Sequence, residues 1–372
     1  MVHKQGNPRY QRQTILKEFG EASQEKLCNS KVLVIGAGGL GCPALQYLAG
    51  AGIGTLGLVD HDTVSLNNLH RQVLYSTDDI GLSKALRAAD ILRALNPEIC
   101  VIPYNEQLNP ANAINIISQF DIVLDGTDNF ASRYMINDAC VLTNKPMIYG
   151  AISRFEGQIS VFNCDTGDGA TRTNYRDLFP IPPKEDEILS CSEAGVIGVL
   201  PGIIGTMMAN ETIKLIIGIG TTLSNRLMTY NSLTNQVYEM EIQAGKETRS
   251  LIPENIAAFQ KTNYELMCSA RTGNQIDITL FEQMILDPSV LFIDVREVNE
   301  TPVVAEFNHV KLPLSDFKEV FKKIKEEKIV LFCQSGMRSL SAARMFSEHY
   351  GNSKKVYSLK DGIVAWKSLR RK

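Results

Sequence analysis

A run of glycines between a strand and a helix limits what this chain can fold into more than any other feature. Lys31 to Ile35 is a continuous apolar strand pattern, Gly36-Ala37-Gly38-Gly39-Leu40-Gly41 comes next, Leu40 to Ala51 reads as helix, and Thr55 to Asp60 reads as the next strand. That order is one βαβ unit. Only glycines let backbone amides approach an anion at a helix N-terminus, so Gly36, Gly38, Gly39 and Gly41 are candidate phosphate-binding positions. Asp60 ends the second strand, 22 residues after Gly38, where an acid accepts hydrogen bonds from a ribose hydroxyl. A glycine turn kept only for tight packing would explain the loop without explaining the paired acid.

The alternation continues along the chain. Ile99 to Pro103, Asp121 to Asp125, Met147 to Tyr149 and Gln158 to Phe162 read as strands, with a helix from Ser83 to Leu95. This predicts an α/β fold, a Rossmann-like domain whose sheet turns mixed at its far edge. Between Phe179 and Ser190, three prolines and a run of four charges exclude a helix or a central strand and predict a long surface loop. Polar residues, Pro253 and Gly273 interrupt the periodicity between Gln243 and Gln275. The expected division is a first domain over 1–248, a linker over 249–274 and a smaller α/β domain over 275–372. In the last, Val290 to Asp294, Lys328 to Phe332 and Lys355 to Leu359 read as strands, and Ser315 to Glu327 and Ser339 to His349 as helices. Phe317, Val320, Phe321 and Ile324 form one apolar stripe on the first of these helices.

Composition removes several function classes. With 372 residues, 44% of them hydrophobic, the chain is neither disordered nor fibrous and exceeds what one core organises. Lys and Arg total 38 against 41 Asp and Glu, a net charge of −3, so the cationic excess of a nucleic-acid binder is missing and anionic substrates must be met locally. The 8 cysteines are scattered, as reduced intracellular thiols are, and the N-terminus lacks the apolar run of a secretory signal, so a cytoplasmic location is expected. Ala194 to Asn210 is uncharged, but Pro201 and four glycines interrupt it short of the ~20 residues a membrane span needs. It is expected to be buried inside a domain or at a subunit interface.

The residues beyond Asp60 point to ATP rather than a dinucleotide. Asn67, Asn68 and Arg71 put amides and a cation next to the nucleotide, and Lys84 adds another at the start of a helix. A nicotinamide enzyme needs a hydride pocket, whereas phosphoryl or adenylyl transfer needs positioned positive charge. Asp125-Gly126-Thr127-Asp128-Asn129 closes a strand at the edge where open α/β sheets bind ligands, and Asp128 is the candidate magnesium ligand.

Together with Arg9-Tyr10-Gln11-Arg12-Gln13, these motifs resemble the E1-like adenylyltransferases of the MoeB and ThiF group over residues 8 to 245. The resemblance implies that Gly39, Asp60, the Asn67 to Arg71 segment and Lys84 bind ATP, with Mg2+ held through Asp128 and Asn129 beside it. It also implies a homodimer in which Arg12 reaches the partner's phosphates, and adenylation of the C-terminal Gly-Gly carboxylate of a ubiquitin-like sulfur-carrier protein. Cys191 matches the cysteine some members bond to the carrier. Many members hold zinc with two Cys-x-x-Cys pairs, but Thr171-Arg172-Thr173-Asn174 stands at the first and Cys268 alone near the second. Tetrahedral zinc wants four such ligands, so no zinc is expected and ordinary packing should hold that region.

The second domain carries a thiol loop. Phe332-Cys333-Gln334-Ser335-Gly336-Met337-Arg338-Ser339 runs from a strand into a helix, where backbone amides and the helix N-terminus favour a thiolate at Cys333, and Arg338 adds charge and closes the loop. Four residues separate Cys333 from Arg338, one fewer than a phosphatase cradle uses, which suits a persulfide sulfur. The segment resembles the rhodanese active-site loop, and Asp294-Val295-Arg296-Glu297, Gly362 and Trp366 match further positions of that family. Glu306 to Leu314 departs from it, being shorter and lacking its glycines.

The two resemblances imply a sulfur-activating enzyme: the first domain adenylates a carrier, and a persulfide on Cys333, loaded by a donor such as a cysteine desulfurase, attacks directly or through Cys191. Two other readings are an adenylating enzyme acting on another carboxylate or a tRNA-attached substrate, with the rhodanese domain accessory, and a nucleotide-bound scaffold. Molybdopterin, thiazole and thiolated-tRNA synthesis all use such chemistry.

Overall fold

A computed structural model describes residues 7–165, 171–182, 195–264, 267, 274–317, 321–350 and 353–370. They form two compact units, described separately, whose division falls between Glu265 and Leu266.

The first unit is built on an eight-stranded sheet. Its strands are β1 (Lys31–Ile35), β2 (Thr55–Val59), β3 (Cys100–Tyr104), β4 (Ile122–Asp125), β5 (Met147–Ser153), β6 (Glu156–Phe162), β7 (Arg226–Asn231) and β8 (Gln236–Glu241), in the order β3-β2-β1-β4-β5-β6-β7-β8. The first five in that order are parallel and the rest antiparallel, so the sheet is mixed at its far edge. β1 pairs Lys31 with Thr55 through Ile35 with Val59, and on its other edge Val32 with Ile122. The chain leaves β1 toward β2 on one side and reaches β4 only later on the other, which makes the β1/β4 boundary the topological switch point.

Helices cover the sheet where sequence supplies starts and stops. Gly52 ends α1 (Gly41–Ala51) in the left-handed region (φ 86°), and the Ser83 hydroxyl caps α2 (Lys84–Leu95) by accepting from the Leu86 amide. Asn129 caps α3 (Phe130–Leu142) in the same way through the Ser132 amide. The uncharged stretch becomes α4 (Val199–Ile217), whose Leu200, Ile204 and Met208 are buried in the core of the first unit with Leu45 and Leu48 of α1. No described helix is long and apolar enough to cross a membrane.

Residues 249–264, expected to be linker, instead belong to the first unit. Apolar side chains explain the difference: Phe259 is fully buried and its ring packs on Tyr264, 5.6 Å between centroids. The Tyr264 hydroxyl donates to Asp138 (2.9 Å), which also takes two hydrogen bonds from Arg176, Nε to Oδ1 at 2.8 Å and Nη2 to Oδ2 at 2.7 Å. Nearby, Asp177 accepts from the Gly245 amide (2.9 Å) and the Thr248 hydroxyl. A buried polar network therefore ties the Thr171 region to the end of the unit.

The second unit holds a parallel five-stranded sheet of β9 (Asn274–Ile276), β10 (Val290–Asp294), β11 (Val310–Lys311), β12 (Lys328–Phe332) and β13 (Lys355–Leu359), in the order β11-β10-β12-β13-β9. Helices α5 (Met337–Tyr350) and α6 (Gly362–Arg370) come after β12 and β13. The helix expected over Ser315 to Glu327 is not continuous: Phe321–Lys323 is a single 3-10 turn and residues 324–327 are not helical. Its apolar stripe is nonetheless used, since Phe317 and Phe321 are buried against Phe346. Residues 318–320, Val320 among them, lie outside the described residues. The Pro-rich loop falls mostly on residues 183–194, outside the described residues, as does Cys191.

The Asp138 cluster carries a measurable share of the first unit's stability. Asp138→Ala leaves the Arg176 charge buried without its partner and should cost about 3–5 kcal/mol. Urea unfolding should then show a lower midpoint for the first unit with the second unit's transition unmoved. A shift comparable to a surface substitution would show the cluster to be decorative.

Candidate functional site

The glycine loop takes its shape from two close approaches. Gly36, with φ +93°, donates to the Val59 carbonyl (2.8 Å), and a Cβ on it would stand 2.9 Å from the Gly126 oxygen. At Gly41 a Cβ would fall 1.8 Å from the Gly36 oxygen, so the turn into α1 closes only without a side chain. Gly38 differs: the nearest protein atom to its Cβ would be Gln72 Nε2 at 3.6 Å. The fold does not demand glycine there, and the open space lies on the wall of a cavity lined by Gly36, Gly38, Gly39, Asp60, Arg71, Lys84, Asp128 and Asn129.

Asp60 pins the loop. Its Oδ2 accepts from the Ala37 amide (2.8 Å) and its Oδ1 from the Asp62 amide (2.8 Å). Burial pushes its carboxyl above the usual aspartate range, against the pull of the Lys84 charge and the two amides. The Tyr75 hydroxyl donates to the Ala37 carbonyl (3.0 Å) from the other side.

The cations arrive with partners. Lys84 is buried and its Nζ donates to Asp62 Oδ2 at 2.9 Å. Arg71 donates through Nη2 to Asn68 Oδ1 (2.7 Å) and through Nη1 to the Asn67 carbonyl (3.3 Å). Neither Asn67 nor Asn68 lines the cavity, so here they orient Arg71. Asn129 likewise spends its side-chain oxygen on the helix cap, while Asp128 beside it is exposed on the cavity wall. Arg12 lies exposed on the short helix Gln11–Thr14 and does not line the cavity of its own chain.

The roles of several residues on or behind the cavity wall have no local signal in the sequence. Asp62 precedes its partner Lys84 by a whole strand connection. Asp125, fully buried, accepts from the Thr127 amide (3.0 Å) and hydroxyl (2.6 Å), and Arg133 donates to the Thr127 carbonyl (3.1 Å), so both shape the loop bearing Asp128. Gln72 is buried on the cavity wall, and its Oε1 has no hydrogen-bond partner among the described residues. An unpaired buried acceptor, an open glycine face and two oriented cations suit a nucleotide. Asp60, His61 and Asp62 also bring ligand atoms within 4.8 Å of one another, with Asp62 engaged by Lys84.

In the second unit, Cys333 leaves β12 fully buried. Its carbonyl accepts from the Ile363 amide (2.8 Å), and the Ser339 hydroxyl lies 3.5 Å from Sγ and 2.9 Å from Ser358. Gly336 (φ +92°) turns the loop, and a Cβ on Gly362 would stand 2.4 Å from the Gln334 oxygen, so the loop is seated directly on the start of α6. Asp294 and Arg296 form a buried pair, Nη2 to Oδ2 2.7 Å, and Arg296 reaches the Pro302 carbonyl (2.9 Å), which braces the segment leading to the loop. Phe307, from the shortened stretch, packs among Phe281, Phe292, Phe332 and Trp366 in place of the absent glycines. Arg338, expected to lend free charge, is paired with Glu300, Nη2 to Oε2 at 2.6 Å. Burial pushes the Cys42 thiol up to about 12 and that of Cys140 up as well, so neither is a rival nucleophile.

The ThiF family model matches residues 10–251, and the Rhodanese-like domain model residues 277–369. The chain belongs to the ThiF family. Its relatives include the probable adenylyltransferase/sulfurtransferase MoeZ of Mycobacterium tuberculosis, 40% identical over 370 residues, spanning 96% of this chain and 92% of that one. Adenylyltransferase and sulfurtransferase MOCS3 of Drosophila sechellia is 36% identical over 384 residues, 97% of this chain and 83% of that one. A sulfur carrier protein adenylyltransferase of Thermus thermophilus is 43% identical over 263 residues, 71% of this chain and 97% of that one. Among solved structures, E. coli MccB with ATP aligns with a TM-score of 0.56 at 25% identity, over 64% of this chain and 73% of that one. This ThiF-family chain is an adenylyltransferase joined to a rhodanese-like sulfurtransferase domain.

The glycines separate packing from ligand binding in this ThiF-family loop. Gly41→Ala should lower stability by roughly 3 kcal/mol or more without any ligand, because backbone must move. Gly38→Ala should leave the melting temperature nearly unchanged and remove the rise that MgATP produces. Thermal melts with and without MgATP check both, and equal destabilisation by the two would show that the loop serves packing alone.

Proposed function

We propose that the first unit uses ATP and Mg2+ to adenylate the C-terminal Gly-Gly carboxylate of a ubiquitin-like sulfur-carrier protein, and that a persulfide on Cys333 then converts the acyl adenylate to a thiocarboxylate. The observation that carries this reading is the placement of Lys84 and Arg71 in one cavity with the open face of the glycine loop. Adenylyl transfer asks for such fixed cations, since its catalysis is mostly positioning and charge stabilisation.

In the first step a carrier carboxylate oxygen attacks the α-phosphorus and pyrophosphate leaves. Lys84, held by Asp62, and Arg71, held by Asn68, would offset the charge that builds on the phosphates. Asp60 keeps the loop closed, and Asp128 would hold Mg2+, which would supply charge neutralisation to the polyphosphate. Arg12, exposed on its short helix, would reach the phosphates of a partner subunit in a homodimer. In the second step the outer sulfur on Cys333 attacks the acyl carbon and AMP leaves. Attack by a second thiolate on the Cys333 sulfur then frees the thiocarboxylate and leaves a disulfide; Cys191 is the candidate for a covalent bond to the carrier. A thiol reductant, itself oxidised to its disulfide, would return Cys333 to its thiolate, and a cysteine persulfide donor, of the kind a cysteine desulfurase forms, would then reload it. Among the routes that consume such a thiocarboxylate, molybdopterin and thiazole synthesis are the ones we favour.

Exchange of labelled pyrophosphate into ATP should require a carrier ending in Gly-Gly and should fall about a hundredfold or more in Lys84→Ala. Cys333→Ala should keep the exchange and lose thiocarboxylate formation, read by the mass of the carrier. Exchange that persists with a carrier lacking its terminal glycines would overturn the proposal.

A further inference from the structure

We propose that Glu300 sets which sulfur donor the Cys333 loop accepts, by holding Arg338 in a neutralised pair that disfavours free dianions such as thiosulfate and leaves the loop to persulfide sulfur. The inference rests on the sulfurtransfer reading of the second unit.

Arg338 is the one charged residue in the segment from Cys333 to Ser339. Both of its terminal nitrogens face Glu300, one to each carboxylate oxygen, in the bidentate arrangement that gives guanidinium–carboxylate pairs their fixed geometry. The carboxylate is oriented before it meets the arginine, because Glu300 Oε1 also accepts from the Glu297 amide (2.9 Å) and its own amide donates to the Glu297 carbonyl (3.2 Å). The Arg338 hydrogen bonds hold the Glu300 acid down at about 2, so the pair stays ionised throughout the physiological range. Arg338 is within electrostatic reach of Cys333, and so is a second acid, Glu297, of Arg338. The neighbouring cation, Arg296, is committed to Asp294 and the Pro302 carbonyl. An incoming dianion therefore meets a compensated charge backed by carboxylates.

The two donors place different demands on that charge. With thiosulfate, the Cys333 thiolate attacks the sulfane sulfur, the S–S bond breaks, and sulfite leaves with the electron pair, so three negative charges gather in the loop throughout. With an alkyl hydropersulfide, the thiolate attacks the outer sulfur, the S–S bond breaks, the proton stays on the transferred sulfur and the alkyl thiolate leaves with the electron pair, so one negative charge is present throughout. A role limited to bracing the loop would affect both donors alike.

The test uses the full chain with cyanide as acceptor and thiosulfate or glutathione persulfide as donor, reading thiocyanate. Glu300→Gln should raise the ratio of kcat/KM for thiosulfate over glutathione persulfide by about tenfold, chiefly through a lower KM for thiosulfate. Added salt should diminish that gain, and Glu300→Asp should bring the ratio back toward the unsubstituted value. An unchanged ratio, or an equal loss with both donors, would overturn the role of Glu300 while leaving sulfurtransfer standing. No transfer from either donor in the unsubstituted chain would overturn the sulfurtransfer reading and the inference with it.

Discussion

The first unit depends on how tightly β1 can turn into α1. The Gly36 carbonyl sits where a Cβ of Gly41 would be, and the Gly36 backbone lies against Gly126 at the end of β4. Both approaches occur at the switch point of the sheet, where β1 leaves a crevice beside β4. Once the turn is closed, the Ala37 amide can reach Asp60 at the far end of β2 and the Ala37 carbonyl can reach Tyr75. The loop is thereby clamped to two other segments before any ligand enters. A phosphate then finds amides already oriented, and binding energy is not spent on ordering them.

Charge is handled by the same logic. A lysine as buried as Lys84 would be costly alone, so its ammonium is carried into the cavity on Asp62. Arg71 is steered by Asn68 and the Asn67 carbonyl, neutral partners that fix direction without cancelling charge. Arg338 resembles Lys84 rather than Arg71, because its partner, Glu300, is a carboxylate as Asp62 is. The first unit turns oriented cations into its cavity, and the second sets the Ser339 hydroxyl against the Cys333 sulfur.

Much of this arrangement is legible in the sequence because it is local. Strands Val290–Asp294, Lys328–Phe332 and Lys355–Leu359 begin and end where their apolar runs do, and the glycine loop, Asp60 and Lys84 come together in one cavity. What escapes is what tertiary contacts decide. The stripe of Phe317, Phe321 and Ile324 has helical spacing, yet Phe321–Lys323 is a 3-10 turn and Ile324 lies beyond it, since packing against Phe346 rewards the apolar groups and not the helix. The polar stretch after Gln243 hides Phe259 and Tyr264, whose partners lie far back in the chain, Tyr264 reaching Asp138 across 126 positions. Asp62, Arg133 and Glu300 are unreadable for the same reason: an acid or a cation announces its charge, but the partner that orients or cancels it is chosen by the fold.

That distinction also bears on how one chain can hold two chemistries that would interfere in a single site. In the cavity of the first unit Arg71 keeps an uncancelled charge, whereas Lys84 is already paired with Asp62 and the wall also carries Asp60, Glu106 and Asp128. A thiol loop with a free guanidinium would draw polyphosphate as readily as sulfur. In the function proposed, a compensated arginine beside Cys333 and an uncancelled Arg71 in the nucleotide cavity would let the two sites favour different anions by charge.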